Sequence, residues 1–127
     1  VIVGAFGNLK AVCDYAENSG RDVILLCAGW KDRFCLEDSL FAGAVVQDLL
    51  ERPQAGFYTI CDSAMASVHL WNLAKNDLPG FIEDVAHRHR LKKMGLDDVI
   101  PFCLEIDRTD IVPVYRKDRL VSHLSPL

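Results

Sequence analysis

The sequence predicts a single α/β domain in which helices cover a mainly parallel sheet. Strand and helix patterns follow one another in the order β-α-β-α-α-α-β-β. Residues 22–27 are apolar without alternation, which is typical of a strand buried on both faces of a parallel sheet. Of the 127 residues, 50% are hydrophobic and 25% are charged, so the whole chain, residues 1–127, suffices for one globular unit.

In the first half of the chain, strands and helices are predicted to alternate. Residues 1–3 (Val-Ile-Val) are predicted to form a short buried strand. Asn8 can cap the next helix, whose apolar side chains recur at helical spacing from residue 9 to residue 16. After the strand at residues 22–27, a broad apolar stripe predicts a helix over residues 36–51.

The second half begins helical and ends β-rich. A helix is predicted from Asp62 to Lys75, and Pro79 is predicted to open another that Gly95 stops. Three short stretches of the tail have β-like composition: residues 101–105, 111–115 and 120–121.

Composition and charge exclude several classes of protein. A net charge of −4 argues against a general nucleic-acid binder. No apolar run reaches the roughly 18 residues of a membrane span, and we expect no membrane partner. Five cysteines without a Cys-x-x-Cys pair predict reduced thiols and a cytoplasmic location. Because a strand begins at the first residue without an initiator Met, we expect the chain to be a piece of a longer protein.

Polar side chains are densest just after the strand at residues 22–27. Arg33, Glu37 and Asp38 stand there at a predicted helix start, and ligands of open α/β sheets bind beyond the carboxyl ends of strands. Adjacent carboxylates can hold Mg²⁺, and an arginine can clamp a phosphate or sulfonate. The alternative interpretation is that the two acidic residues only complement the helix dipole.

A second pattern overlaps the first. Cys27 and Arg33 have the spacing that cysteine phosphatases use between a strand and a helix, although Trp30 is bulky and Asp32 would repel phosphate. A buried thiol that ends a strand is the structural alternative. His87 and the histidine two residues after it point to nearly opposite sides of a helix. We therefore interpret that basic stretch as a solvated face rather than a metal site.

Several stretches of the chain carry a family resemblance. They are residues 4–8 (Gly-Ala-Phe-Gly-Asn), 26–29 (Leu-Cys-Ala-Gly), 33–38 (Arg-Phe-Cys-Leu-Glu-Asp), 42–43 (Ala-Gly), 62–64 (Asp-Ser-Ala), 87–91 (His-Arg-His-Arg-Leu) and 110–115 (Asp-Ile-Val-Pro-Val-Tyr). Together they resemble the 2-phosphosulfolactate phosphatase family, Mg²⁺-dependent enzymes of coenzyme M biosynthesis. Members are about twice as long, and the resemblance is to their C-terminal half.

The resemblance implies a three-layer α/β/α fold and removal of phosphate from a 2-phospho-3-sulfo acid. It implies Mg²⁺ as cofactor, and Asn8, Arg33, Glu37 and Asp38 match polar positions of the family pattern. We expect Glu37 and Asp38 to be the catalytic and metal-binding residues. We expect Asn8, Cys27, Gly29 and Arg33 to bind the substrate. An N-terminal half would complete the site, and the resemblance is compatible with a homodimer. The alternatives are a cysteine-dependent phosphatase using Cys27 and Arg33, or a non-catalytic ligand-binding domain of the same fold.

Overall fold

The computed structural model describes residues 1–124, so the last three residues of the predicted unit lie outside the described part. The helices in this part are α1 (Leu9–Ser19), α2 (Leu36–Glu51), α3 (Asp62–Ala74), α4 (Leu78–Phe81), α5 (Ala86–Lys93) and α6 (Ile100–Leu104). Short 3-10 turns lie at Phe6–Asn8 and Asp97–Val99. The strands β1 (Pro113–Arg116) and β2 (Arg119–Ser122) form an antiparallel hairpin.

The three long helices confirm the prediction made from the spacing of the apolar residues. Helix α1 ends at Gly20, whose φ of 60° gives the left-handed cap that glycine adopts without strain. Helix α2 has the predicted bounds and carries Glu37 and Asp38 in its first turn, where acidic residues suit the helix dipole. Helix α3 begins at the predicted residue and ends at Ala74.

Helix α2 lies at the centre of the core, between α1 and α3. Its side chains Leu40 and Val45 are fully buried. The approach of α3 depends on Gly43, because a Cβ there would lie 2.0 Å from the carbonyl oxygen of Ser67 and 2.9 Å from Cβ of Trp71. A side chain at this position would therefore force the two helices apart.

A charged cluster around Arg52 joins the end of α2 to α1. The guanidinium donates to Oδ1 of Asp48 at 2.5 Å, to Oε2 of Glu17 at 2.5 Å and to Oδ1 of Asp14 at 2.9 Å. Burial by itself lowers the pKa of Arg52, but the three carboxylates raise it above its usual value. The positive charge is therefore permanent, and it bridges the two helices.

Two secondary-structure predictions for the second half were wrong. Residues 101–105 are not β-like, because Ile100–Leu104 is helix α6, with proline in the first turn, where its missing N–H costs nothing, and with Ile100 buried. The helix predicted to run from Pro79 to Gly95 is two helices, α4 and α5. Asp77 caps a single turn by accepting the Gly80 N–H at 3.0 Å, and the chain then turns so that Ile82 is buried.

The strand predictions separate into two groups. The β-rich tail is confirmed for residues 111–115 and 120–121, which overlap the two strands of the hairpin. At residues 1–3, only Ile2 forms a bridge, antiparallel to Val114. Residues 22–28 are assigned to no strand, so residues 1–124 contain helices and an antiparallel hairpin but no parallel sheet. Within this part, no helix is both long and apolar enough to cross a bilayer.

Candidate functional site

A large groove runs beside the first turn of α2. Its volume is about 1270 Å³, and its walls are mainly apolar side chains. The polar side chains that border it include Cys27, Glu37, Asp38 and His87. The structure therefore brings three of the predicted site residues to one groove and adds a histidine to them.

Asp38 holds the loop that precedes α2. Its Oδ2 accepts the main-chain N–H of Gly29 at 2.7 Å. Gly29 has a φ of +67°, and a Cβ there would lie 2.5 Å from the carbonyl oxygen of Arg33, so no other residue fits without rearrangement. Trp30 and Arg33 exchange two main-chain hydrogen bonds of 3.1 Å, which close the turn between them. Asp38 thus fixes the position of this turn relative to the helix.

Glu37 has a different environment. Its Oε2 accepts a hydrogen bond from the Cys35 thiol at 3.2 Å. Its Oε1 is buried and has no hydrogen-bond partner among residues 1–124. An unsatisfied buried carboxylate oxygen is costly, so this atom calls for a donor or a cation from outside the described residues.

Glu37 and Asp38 have the ligand chemistry that a magnesium ion takes, and they would supply only part of its ligand set. Mg²⁺ prefers oxygen ligands and is commonly bound through one or two carboxylates while it keeps several waters. Glu37 offers the unpartnered oxygen, and Asp38 lies beside it in the sequence. No group of three or more His, Cys, Asp or Glu side chains suited to a metal occurs in the described part of the chain.

The thiols of Cys27 and Cys35 are held in their protonated form. Cys27 is an exposed residue and not the buried thiol of the structural alternative, but the partial burial of its thiol raises its pKa, and the neighbouring charge of Asp38 raises it further. Burial likewise raises the pKa of Cys35 to about 11. A cysteine nucleophile needs the thiolate, so these environments disfavour the mechanism based on Cys27. Arg33 is exposed and does not line the groove.

Asn8 is buried, and main-chain groups engage its side-chain amide. Its Oδ1 accepts the N–H of Ala5 at 2.8 Å, while its Nδ2 donates to the carbonyl oxygens of Ile111 at 3.0 Å and Val3 at 3.3 Å. Asn8 begins α1, as the sequence predicted, but its side chain does not cap that helix. Neither Asn8 nor Gly29 lines the groove, so substrate binding by these two residues stays a prediction.

His87 lies in the basic stretch of α5, for which the sequence predicted only a solvated face. The imidazole is half-buried, borders the groove and accepts a hydrogen bond from the Arg90 guanidinium. That guanidinium lies 3.9 Å from the centre of the Trp30 ring, so α5 also contacts the loop before α2. One signal was available: His87 and Leu91 are one helical turn apart, and both line the groove.

Comparison with known proteins gives a consistent result. The family described as 2-phosphosulpholactate phosphatase matches residues 1–118. A probable 2-phosphosulfolactate phosphatase of Prochlorococcus marinus is 33% identical over 94% of this chain and 50% of its own length. Relatives of the same description from Caldanaerobacter subterraneus and Thermotoga maritima are 34% and 35% identical, each over 89% of this chain and 46% and 47% of their own lengths.

The chain spans about half the length of the curated relatives it matches. The family match covers every stretch on which the resemblance was based, from residue 4 to residue 115. This 127-residue chain therefore belongs to the 2-phosphosulfolactate phosphatase family.

Proposed function

We propose that this chain is part of a Mg²⁺-dependent phosphatase that removes phosphate from a small phosphorylated acid such as 2-phosphosulfolactate. The observation that carries the proposal is the family match over residues 1–118. The reaction's place in coenzyme M biosynthesis and a cytoplasmic location, which suits the five free thiols, belong to the same proposal.

Glu37 is the first candidate for holding the metal, because its Oε1 is buried without a partner in the described part of the chain. Asp38 adds charge at the same helix start and holds the adjoining loop through Gly29. When bound, Mg²⁺ would neutralise negative charge on the phosphoryl group and orient the attacking water. These roles separate a metal ligand, Glu37, from a residue that shapes the site, Asp38.

The loop before α2 and helix α5 supply the other groups. Arg33 is exposed, which suits an anion clamp that closes on a substrate entering from solvent. His87 borders the groove beside the carboxylates, and imidazole is the most frequent general acid–base group in enzymes. The mainly apolar walls would exclude water from a bound phosphate and strengthen these charged contacts.

The proposal includes groups from outside this chain. Glu37 as the ligand from this chain leaves most magnesium positions to water, substrate or further protein ligands. Because the chain spans about half of its relatives' length, we assign the remaining ligands to the other half of the family's polypeptide. A homodimer would be an alternative source of these ligands.

The test uses residues 1–127 joined to the complementary half of the Prochlorococcus marinus relative, with phosphate release from 2-phosphosulfolactate as readout. We expect turnover with Mg²⁺ that excess chelator abolishes, and a loss of about 10²-fold or more for Glu37→Gln. Glu51→Gln, the same change at the far end of α2, is the matched control and should retain full activity. A thermal shift by Mg²⁺ that Glu37→Gln removes reports metal binding independently of turnover.

Two outcomes would favour the other interpretations. Turnover that survives the chelator but is abolished by iodoacetamide and by Cys27→Ser would indicate the cysteine mechanism, against the raised pKa of that thiol. Binding of the substrate without turnover in the joined protein, with or without Mg²⁺, would indicate a ligand-binding domain.

A further inference from the structure

Three segments outside the helices share one pattern of burial. We call residues 1–3, 23–26 and 57–60 the open strands. In each, one apolar side chain packs against the core: Ile2, Leu25 and Phe57. Alternating side chains point to solvent, and five of them are almost fully exposed: Val1 at 93%, Ile24 at 92%, Leu26 at 91%, Tyr58 at 85% and Ile60 at 93%.

This alternation is the signature of a β-sheet that lies on the core with one face. Successive side chains of a strand point to opposite faces, so a residue that packs against the core has neighbours that point away from it. An ordinary exposed strand face is polar, whereas the outward side chains here are Val, Ile, Leu and Tyr. Apolar residues on both faces belong to a sheet that is covered on both sides.

Much of the main chain of the open strands lacks hydrogen-bond partners. Residues 1–3 pair along one edge with the hairpin, where Val3 donates to the Pro113 carbonyl and Tyr115 donates to the Val1 carbonyl, both at 2.9 Å. Within residues 1–124, no main-chain group of residues 22–28 is hydrogen-bonded to another main-chain group. Unpaired main-chain donors and acceptors on an extended segment are a template for a further strand.

The groove described above lies where such a strand would fit. Residues 1–6 and 21–28 both line it, together with Val12 of α1 and Phe41 and Val45 of α2. At about 1270 Å³ it exceeds the roughly 300–1,000 Å³ typical of small-molecule pockets, so a small phosphorylated acid would fill only part of it. An extended peptide satisfies both its apolar walls and its unpaired main chain.

We propose that the open strands form one sheet completed by a β-strand from the half of the family's polypeptide that this chain does not span. That strand would occupy the groove between residues 1–6 and 21–28, and the same half would cover the outward apolar face. The chain spans 50% and 46% of the Prochlorococcus and Caldanaerobacter relatives, which leaves a segment of similar size as the occupant.

A second copy of this chain is a poorer occupant. In the described part, a copy offers as additional strands its own open strands and β2, which is already paired with β1. Each open strand holds a side chain in its own core, Ile2, Leu25 or Phe57, which it would have to expose in order to leave. A strand from the complementary half would bind without removing a side chain from this core.

Hydrogen exchange tests the proposal on the chain alone and on the chain joined to the complementary half of the Prochlorococcus relative. We expect the amides of residues 22–28 to exchange rapidly in the chain alone and at least about 100-fold more slowly in the joined protein. The amides of α1, already hydrogen-bonded in the chain alone, serve as the internal reference. The readout is independent of the phosphatase proposal, because it requires neither substrate nor metal.

Two variants sharpen the test. Ile24→Lys places a charge on the outward face and should return residues 22–28 of the joined protein to rapid exchange. Leu73→Lys, at an apolar and exposed site on α3 outside the groove, should leave the protection intact. In the chain alone, neither variant should alter the exchange of α1.

Three results would overturn the proposal. The first is slow exchange of residues 22–28 in a monomeric chain alone. The second is equally rapid exchange of these residues in a joined protein whose two halves both show protected helices. The third is a discrete dimer of the chain alone that protects residues 22–28, which would identify a second copy as the occupant.

Discussion

Neutralising the two carboxylates of α2 one at a time should have opposite effects on stability. Asp38→Asn weakens the bond from the Gly29 N–H, now 2.7 Å from a charged oxygen. A bond to a charged acceptor contributes about 1.5–3 kcal/mol and a neutral one about 0.5–1.5 kcal/mol, while charge at a helix N-terminus adds about 0.3–1 kcal/mol. We therefore expect Asp38→Asn to lower the free energy of unfolding by about 1–2 kcal/mol.

Glu37→Gln loses the same favourable interaction with the helix dipole but gains elsewhere. The variant no longer buries a charged oxygen that lacks a partner in the described part of the chain, a burden of about 1–3 kcal/mol. The glutamine amide still buries an unpartnered polar atom, so only part of this burden is relieved, and about 0.3–1 kcal/mol of dipole interaction is lost. The free energy of unfolding should therefore stay constant or rise by up to about 1 kcal/mol. The two variants should thus differ by about 2 kcal/mol.

Urea unfolding of the 127-residue chain, followed by far-UV circular dichroism, measures this difference. With a urea dependence of about 2 kcal/mol per M, the two midpoints should lie about 1 M apart. Glu51→Gln again provides the control for a neutralised glutamate on α2. If Glu37→Gln proved the more destabilising of the two, the assignment of Asp38 to structure and of Glu37 to chemistry would be reversed.

Three further predictions concern the core. Gly43→Ala should lower the free energy of unfolding by about 1–3 kcal/mol, because its Cβ would meet the Ser67 carbonyl oxygen at 2.0 Å; the better helix propensity of alanine offsets only part of this loss. The control is Gly7→Ala, whose Cβ would lie 3.9 Å from its nearest neighbour. It should change little in the same urea titration. Burial raises the pKa of the Cys13 thiol to about 12 from its usual 9.0, so the folded state keeps a proton that the unfolded state loses. Stability should therefore fall by up to about 1.4 kcal/mol per pH unit above pH 9, and Cys13→Ala should remove that part of the slope in unfolding curves at pH 8–11. Arg52→Met leaves three carboxylates without their shared cation and should cost about 1–3 kcal/mol at low salt; an equal loss at 1 M NaCl would show that packing rather than charge is responsible.

Helix α2 shows what the sequence determines by itself. Its apolar stripe faces the core, its first turn is acidic and its bounds agree with the prediction, because every one of these signals is local. The helices whose ends were misjudged lack such agreement. Helix α6 contains Pro101 and a short apolar run that fits a strand as well as a helix, and only the burial of Ile100 decides between them.

The strand predicted at residues 22–27 is absent from residues 1–124 for a different reason. Residues 22–27 have the composition and the two-faced apolar pattern of a buried strand, and the structure packs Leu25 inward between two exposed neighbours. A strand is defined by a neighbour, however, and the pattern of one segment carries no information about whether that neighbour lies in the same chain. The same holds for the site, where Glu37 was predictable and its missing partner was not.

The contact between Trp30 and Arg90 makes the loop before α2 optically distinguishable from the core. The Trp30 ring is half-exposed beneath a guanidinium, whereas the other tryptophan, Trp71, is buried against Phe6 with ring centres 5.8 Å apart. Indole emission shifts to longer wavelength in water, so the two fluorophores differ in colour. Excitation at the red edge of the indole absorption band selects Trp30 in the loop, and iodide in solution quenches this exposed ring but not the buried Trp71. The polypeptide thus carries an intrinsic probe of ligand arrival beside an intrinsic probe of folding, without any dye.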